Sequence, residues 1–412
     1  MNPILLIIGH VWPEPSTTAA GNRMEQLIHA FLDFGFEVVF GSTAAKSKYS
    51  LDLVGIGVRE VEFKLNHPSF DDFVKELKPN YVVFDRFMTE EQFGWRVSEQ
   101  APDAVKILNT EDLHSLRKSR EECHRKDEKF SLDHWKDHSM TLREVASIYR
   151  SDLTLMISSF ETQILVDEIG IPKNLLLHLP FMLERLSKEE ISSWPKFEER
   201  KDFICIGNGK HQPNIEAIKT LKNTIWPIIR RSLPKAKLHV YGAYLPQQII
   251  QMHKPQEGFE IKGWAEDLGQ VLKNGRLLLA PLSFGAGIKG KLVDAMQNGT
   301  PSVTTSLGAE GMHDDLPWGG CITNEWATFA QSALELYQNK DEWEQSQANG
   351  IAIVQTHYQR QSLQKTLLNR LKELQEQLPK HRTQNLVGRL LSQQERTATK
   401  YMGKWIQEKN KH

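Results

Sequence analysis

Residues 283–304 read SFGAGIKGKLVDAMQNGTPSVT and concentrate residue types that bind anions. Gly287 permits close approach of the backbone to a ligand, and Lys289 and Lys291 place positive charge beside an apolar, helix-like run. The N-terminus of a helix adds free N–H groups and a partial positive charge. Asp294 follows on the same predicted helix as a lone carboxylate. The pattern therefore indicates a ligand that offers more than an anionic group.

These residues need a scaffold, and short apolar runs alternate with helical periodicity along the chain. The predicted strands are residues 4–8, 37–40, 81–84, 105–108, 153–157, 203–206, 237–241, 276–281 and 302–304. Buried strands that alternate with helices predict parallel sheets covered on both faces. Ligands of such sheets lie at the carboxyl ends of the strands, where the sequence places Asp85 and Arg86, and then Asp112 and His114.

Composition limits the class of protein. The 412 residues exceed one ordinary core and predict two domains, and 40% hydrophobic with 25% charged residues is typical of a soluble globular protein. A formal net charge of −1 argues against a nucleic-acid partner. The three cysteines lie far apart, which favours a reducing compartment such as the cytoplasm. We recognise no signal peptide at the N-terminus and no apolar run long enough to span a bilayer.

A charged stretch at residues 187–201 is the predicted linker, because the strand–helix alternation restarts after it. The predicted domains are residues 1–186 and 187–365, both doubly wound and Rossmann-like, followed by a helical extension over residues 366–412. The cleft between the two domains is the expected place for a small-molecule site.

Two further segments are rich in charge. Residues 111–147 predict long exposed helices. The tail from residue 376 carries eight Lys/Arg against three Glu, with apolar residues spaced for short amphipathic helices. It predicts either a helical extension packed on the body or a basic contact with a membrane surface or a polyanionic acceptor.

Residues 280–311 resemble the nucleotide-sugar-binding segment of the retaining GT-B glycosyltransferases of the "group 1" (family 4-like) family. That family carries a Glu-x7-Glu signature that runs into EAM-x-x-G-x-P-V-V-x-T-x-x-G-x-E-G. The residues in register here are Asp294, Ala295, Met296, Gly299, Pro301, Val303, Thr304, Thr305, Gly308, Glu310 and Gly311. Residues 203–242, 107–117 and 150–165 are also similar to segments of the family. The resemblance implies an α/β GT-B fold with two Rossmann-like domains facing each other across a cleft.

The resemblance also implies roles for residues of the second domain. Asp294 stands where the family's second carboxylate accepts hydrogen bonds from ribose hydroxyls, and Glu310 lies in the same donor-binding block. Ala286 stands where the family has its first carboxylate, which contacts the transferred sugar. Lys289 and Lys291, assisted by Lys210, replace the cation pair that neutralises the donor diphosphate. Each lysine could equally be an ordinary surface residue, and Asp294 a solvated carboxylate.

On the first domain, the resemblance places Gly21 in a small-residue turn that faces the diphosphate and the acceptor. It places Asp112 and His114 near a histidine that contacts the sugar, and we assign them to the catalytic site. Asp85 and Arg86 are expected to contact the acceptor. The alternatives are an ordinary capped loop at Gly21, a helix cap for Asp112 and a structural histidine for His114.

The resulting hypothesis is a retaining glycosyltransferase that moves a sugar from a nucleotide-sugar to a glycan, lipid-linked or small-molecule acceptor. No metal and no cofactor are expected, because the nucleotide-sugar is a co-substrate. Two alternatives stay open: a catalytically silent relative that acts as a binding or scaffold protein, which Ala286 motivates, and a sugar-nucleotide epimerase. The base, sugar, acceptor, linkage and oligomeric state do not follow from the sequence.

Overall fold

The computed structural model of the chain describes residues 2–409, apart from the side chains of residues 394–400. Two parallel sheets form its frame. The first has the order β3-β2-β1-β4-β5-β6-β7 and the second has the order β10-β9-β8-β11-β12-β13. The strands are β1 (Ile4–Gly9), β2 (Glu37–Ser42), β3 (Arg59–Glu62), β4 (Tyr81–Asp85), β5 (Val105–Thr110), β6 (Leu153–Met156), β7 (Leu176–His178), β8 (Lys201–Ile206), β9 (Leu238–Tyr241), β10 (Phe259–Gly263), β11 (Gly275–Ala280), β12 (Ser302–Thr304) and β13 (Gly320–Ile322).

Helices connect the strands and cover both faces of each sheet, as parallel strands require. The α-helices are α1 (Ala19–Asp33), α2 (Ser69–Leu77), α3 (Phe87–Gln100), α4 (His114–Arg125), α5 (Leu132–Lys136), α6 (Ser139–Arg150), α7 (Ser159–Ile164), α8 (Lys188–Ser193), α9 (Gln212–Thr220), α10 (Trp226–Ser232), α11 (Gln247–Ile250), α12 (Leu268–Asn274), α13 (Gly290–Gln297), α14 (Ser306–Ala309), α15 (Trp326–Gln338), α16 (Lys340–His357), α17 (Arg360–Gln384) and α18 (Leu386–Lys409). Short 3-10 turns lie at Val54–Ile56, Lys173–Leu175 and Pro255–Glu257, and π-helical turns at Leu165–Ile169 and Leu221–Ile225. This architecture confirms the predicted GT-B fold class.

The last long helices return to the first sheet. Helix α17 places Leu367, Leu371, Leu374 and Leu378 in the same apolar core as strands β1, β2 and β4–β6. These leucines are spaced three or four residues apart and therefore share one face of the helix. The first core is thus built from both ends of the chain.

The chain passes between the two sheets twice, and the two passages touch. Leu183 pairs with Gln359 in an isolated parallel bridge, and the N–H of Leu183 donates to the carbonyl of Tyr358 at 2.7 Å. The N–H of Arg360 donates to the carbonyl of Leu183 at 2.8 Å. Both connections therefore cross at one place.

The sequence predicted long exposed helices over the charged segment 111–147, and this prediction is wrong. The segment forms three short helices, α4, α5 and α6, that bury Trp135, Leu116 and Arg120. The indole N–H of Trp135 donates to Ser115 Oγ at 2.8 Å, so this buried tryptophan is satisfied. Helices this rich in charge become buried where each polar group finds a partner.

Candidate active site

A cavity of about 510 Å³ lies between the two domains. Its walls follow the carboxyl ends of strands from both sheets. From the first domain they are residues 11–22 after β1, 85–86 after β4 and 111–117 after β5; from the second they are residues 206–214 after β8, 241–244 after β9 and 282–294 after β11. The topological rule for parallel sheets therefore correctly located the cavity.

The glycine turn of residues 285–290 forms one wall of this cavity and packs against the first domain. Gly287 has a φ of 66°, a left-handed conformation that favours glycine. A Cβ at this position would lie 2.7 Å from the carbonyl oxygen of Glu111 and 2.8 Å from the Cβ of Asp112. Gly287 is therefore needed both for its backbone conformation and for the close approach of the two domains.

Asp294 lies on α13 and lines the cavity half-buried. Among the residues that the structure describes, no group donates a hydrogen bond to its carboxylate. Burial raises the pKa of Asp294 to about 7. A carboxylate held in this way gains stability when a ligand supplies hydroxyl donors.

Lys289 and Lys291 also line the cavity, but each already has a partner on the protein. Lys289 Nζ donates to the carbonyl of Gly287 at 2.6 Å, and Lys291 Nζ donates to Asn214 Oδ1 at 2.6 Å. Burial lowers the pKa of Lys289 to about 8, which Glu310 opposes, and burial also lowers the pKa of Lys291. A bound anion would favour the charged form of both amines.

Lys210 lies at the rim of the same cavity. Its Nζ is 3.6 Å from the centre of the Tyr244 ring. The Tyr244 hydroxyl in turn contacts both carboxylate oxygens of Glu14 at 3.1 Å, across the cleft. Lys210 thus forms part of a contact that joins the two domains.

Glu310 is not among the residues that line this cavity, and its donor-binding role stays a prediction. Its carboxylate accepts two hydrogen bonds from the guanidinium of Arg120, at 2.8 and 2.9 Å. Arg120 also donates to the carbonyl of Gly285 at 2.9 Å. Because a bidentate pair with arginine occupies both oxygens, Glu310 fastens the first domain to the second.

Asp112 and His114 meet at the cavity wall, and Arg117 joins them. The Asp112 carboxylate lies 2.9 Å from Arg117 Nε and 3.3 Å from His114 Nε2. Burial acts to raise the pKa of Asp112, but Arg117 and His114 outweigh it, so the net shift is downward. Burial lowers the pKa of His114 to about 4, although Asp112 opposes this. The pair is therefore a carboxylate beside a neutral imidazole at neutral pH.

The start of α4, which carries His114, is fixed by Glu144 rather than by Asp112. Glu144 accepts from the N–H groups of His114 and Ser115 at 2.9 and 3.0 Å and from Ser115 Oγ at 2.6 Å. Burial raises the pKa of Glu144 to about 7. Because Glu144 caps the helix, the Asp112 carboxylate is available to His114 and Arg117. The alternative that Asp112 is the helix cap is therefore wrong.

Arg86 has an unusual backbone at the start of α3. Its φ of 73° and ψ of 154° lie in a region that is nearly restricted to glycine. The side chain lines the cavity, its Nε is 4.0 Å from Asp85 Oδ1, and within the described residues the guanidinium makes no hydrogen bond. Asp85 Oδ2 accepts from the N–H of His10 at 3.3 Å. The first-domain wall thus carries a cation that has a long ion pair with Asp85 and no hydrogen-bond partner among the described residues.

Gly21 lines the cavity, but its N–H is already used. It donates to Thr18 Oγ1 at 2.9 Å, which caps α1. A Cβ on Gly21 would lie 2.4 Å from the Glu14 carbonyl, so glycine is required by the tight loop. An anion bound here would have to use other N–H groups of the turn.

Glu161 is a buried residue beside the glycine turn that the sequence analysis did not assign to the site. Its Oε1 accepts from the N–H of Gly287 at 2.6 Å, and its Oε2 accepts from the N–H of Leu113 at 3.1 Å. Burial, with Asp112 nearby, raises the pKa of Glu161 to about 8. Its position just after strand β6 was the available signal, since the polar residues there were expected to face a ligand site.

A second group of polar side chains lies away from the cavity. Cys123, Glu128 and His134 each offer an atom that could bind a metal ion, and these three atoms lie within 4.8 Å of one another. The sequence did not predict this grouping. His134 Nδ1 is engaged by Ser131 Oγ at 2.7 Å. Metal independence stays a prediction.

Two facing domains with parallel, doubly wound sheets and an interdomain cavity at the strand ends define a GT-B protein. Residues 200–339 match the family model described as "Glycosyl transferases group 1". The matched segment contains the glycine turn, both lysines and Asp294.

Solved structures support the fold over nearly the whole chain. Sucrose-phosphate synthase from Thermosynechococcus elongatus superposes with a TM-score of 0.68 at 14% identity, covering 91% of this chain and 99% of the other. HepE from Anabaena, in complex with UDP and glucose, gives a TM-score of 0.65 at 13% identity over 89% and 99%. At such identities the likeness shows the fold.

A curated relative matches a smaller region. An uncharacterized 44.6 kDa protein in the cps region of Klebsiella pneumoniae is 23% identical over 164 residues, which is 38% of this chain. The match spans 42% of that relative, less than half its length. Within residues 2–409, none of the helices combines the length and the apolar character that crossing a membrane requires.

Proposed function

We propose that the protein transfers a sugar from a nucleotide-sugar bound on the second domain to an acceptor bound on the first. The observation that carries this proposal is the Asp294 carboxylate, which lines the cavity and accepts no hydrogen bond from the residues that the structure describes. Asp294 lies within residues 200–339, which match the family model. A vicinal diol is a natural partner, because two hydroxyls donate to the two oxygens of one carboxylate. The UDP and glucose in the HepE complex support the ligand class.

Lys289 and Lys291 serve the diphosphate in this proposal. Charge on the leaving diphosphate grows as the glycosidic bond breaks, so a fixed cation stabilises the transition state more than the ground state. Both amines stand at the start of α13, whose N–H groups add to the positive potential. The nucleotide-sugar is a co-substrate, and the reaction as proposed needs no cofactor and no metal.

Asp112 and His114 act on the transferred sugar in this proposal. Asp112 holds the neutral imidazole of His114 through Nε2, which leaves Nδ1 as an acceptor for a sugar hydroxyl. The leaving phosphate takes part in removing the acceptor proton, because the transfer retains the anomeric configuration by attack on the same face of the sugar. Arg86 and Asp85 contact the acceptor, which is a glycan, a lipid-linked sugar or a small molecule.

The cellular setting belongs to the same proposal. Cys123, Cys205 and Cys321 are free, as expected of a protein in a reducing compartment. We therefore assign the protein to the cytoplasm.

The test begins with a panel of nucleotide-sugars, with chelator present throughout. Release of nucleoside diphosphate and the anomeric configuration of the product, from the proton coupling constant, are measured. Wild type is compared with Asp294→Asn and with Asp315→Asn, a matched control at an exposed carboxylate outside the cavity. We expect turnover with retention in wild type and the control, and loss of donor affinity in Asp294→Asn. Binding without release of diphosphate would instead identify a silent relative, and an epimerised nucleotide-sugar an epimerase.

A further inference from the structure

The outward face of α18 carries exposed apolar side chains near both ends of the helix. Six of its side chains are exposed large hydrophobics: Leu386 60%, Val387 45%, Leu390 55%, Tyr401 66%, Met402 61% and Trp405 63%. Positions 386, 390, 401 and 405 are separated by one or three turns and share one face of the helix. These side chains form two groups, at residues 386–390 and 401–405, and exposed apolar patches on a globular protein mark interaction sites.

The opposite side of α18 is the side that the fold uses. Gly388 packs so closely on α6 that a Cβ would lie 2.1 Å from the carbonyl of Tyr149. Gly403 is buried against Trp95 of α3, and Ile406, three residues further along the helix, is half-buried. Docking of α18 on the first domain therefore does not involve the exposed apolar residues, and the fold alone does not explain them.

The exposed charge beside residues 401–405 is mostly positive, with Lys404 and Lys409 against Glu408. Within α18 the sequence has five Lys/Arg (389, 396, 400, 404 and 409) against two Glu (395 and 408). Lys404, Lys409 and Arg389 are exposed, and Lys409 Nζ lies 5.3 Å from the Trp405 ring centre. Tryptophan and tyrosine with adjacent lysines are typical of helices that lie in the headgroup region of a bilayer.

We propose that the outward face of α18 binds an anionic lipid surface, with the helix lying in the plane of the interface. The apolar side chains enter the boundary of the acyl chains, and the cations contact lipid phosphates. A second copy of this chain fits less well, because a symmetric contact between two such faces brings like charges together. The inference stands on α18 alone and does not depend on the proposed transferase activity.

The experiment is co-sedimentation of the full chain with vesicles of phosphatidylcholine, with and without phosphatidylglycerol, at low and high salt. Variants are Tyr401→Ser/Trp405→Ser, which removes aromatic anchors, and Lys404→Gln/Lys409→Gln, which removes charge. Matched controls are Val54→Ser, another exposed apolar residue, and Lys188→Gln/Lys235→Gln on the second domain. We expect binding only to the anionic vesicles, lowered by salt, and about a tenfold or greater loss of partitioning in each α18 variant.

Three outcomes would overturn the proposal. The first is a wild type that binds neither kind of vesicle, and the second is a loss of binding in the controls as large as in the α18 variants. Sedimentation velocity provides the third: a dimer that dissociates in the α18 variants would assign the face to a second copy. Thermal unfolding midpoints are measured in parallel, and we expect them to be unchanged because the substituted side chains are exposed. Affinity for nucleoside diphosphate is measured as well and should not change, which separates this inference from the proposed function.

Discussion

The ionisation of Asp294 should control ribose binding. In the free protein its pKa is raised to about 7 because the carboxyl is buried and has no hydrogen-bond donor among the described groups. Only the ionised form accepts from both hydroxyls of a diol. At about pH 6 roughly a tenth of the protein carries this form, against about nine tenths at about pH 8, so affinity should rise about tenfold over that interval.

The assay must avoid groups on the ligand that titrate in the same range. A terminal phosphate has its second pKa near about 6, so a nucleoside is used in place of the diphosphate. Calorimetry across pH compares the nucleoside with its 2′-deoxy analogue, in wild type and in Asp294→Asn. We expect the wild-type affinity for the ribonucleoside to rise with pH, and the deoxy analogue and the variant to show little dependence. Removing the charged acceptor should itself weaken ribonucleoside binding by about 1.5–3 kcal/mol.

The ionisation of Asp294 should also affect stability, and in the opposite direction: the free energy of unfolding should fall as pH rises. A carboxyl whose pKa is higher in the folded state than in the unfolded state destabilises the fold at high pH, and the cost disappears below the unfolded pKa. The rise from 3.8 to about 7 corresponds to at most about 4 kcal/mol, and partial exposure reduces it to about 1–2 kcal/mol. Asp294→Asn should therefore raise the free energy of unfolding at about pH 8 and have little effect near about pH 4. A pH-independent affinity in wild type, together with no gain in stability, would refute the assignment.

Three other substitutions test the cavity. Lys289→Gln/Lys291→Gln should weaken binding of nucleoside diphosphate far more than binding of the nucleoside and should lower turnover at saturating donor; parallel small losses for both ligands would contradict the phosphate role. Arg86→Gly should raise the free energy of unfolding by about 1 kcal/mol by relieving the strained backbone, while raising KM for the acceptor and leaving donor hydrolysis unchanged; an unchanged KM would argue against acceptor contact. Glu161→Gln should leave one backbone N–H without an acceptor, at about 1–3 kcal/mol, and weaken diphosphate binding through the Gly287 turn. If calorimetry shows full diphosphate affinity in Glu161→Gln, Glu161 does not position that turn.

The sequence predicted the inner strands of both sheets and missed four others. The missed strands are β3, β7, β10 and β13, which are the outer strands of the two sheets. An edge strand is covered less completely and need not be a continuous apolar run; β3, for example, is Arg59–Glu62 and has three charged residues and one valine. A continuous apolar run indicates a strand that is buried on both faces of a sheet. This pattern therefore identifies the central strands and misses the edge strands.

The candidate site divides in the same way. Asp294, Lys289 and Lys291 could be found because they lie within one short segment with a recognisable pattern. Glu161 and Gly287 are 126 residues apart, and Arg120 and Glu310 are 190 apart. The sequence around each of these residues does not predict its partner, because the contact forms only when the two domains face each other.

Helix α17 has a consequence for the order in which the protein is made. Its four core leucines complete the first apolar core, yet they are synthesised after the whole second domain. The apolar core of the second domain that surrounds β8 and β9, by contrast, draws its buried residues from one contiguous stretch, residues 203–343. During translation the second domain can close its core as it emerges, while the first holds an uncovered apolar surface over β1, β2 and β4 until α17 arrives. Protease protection of nascent chains should therefore develop later for the first-made domain than for the second.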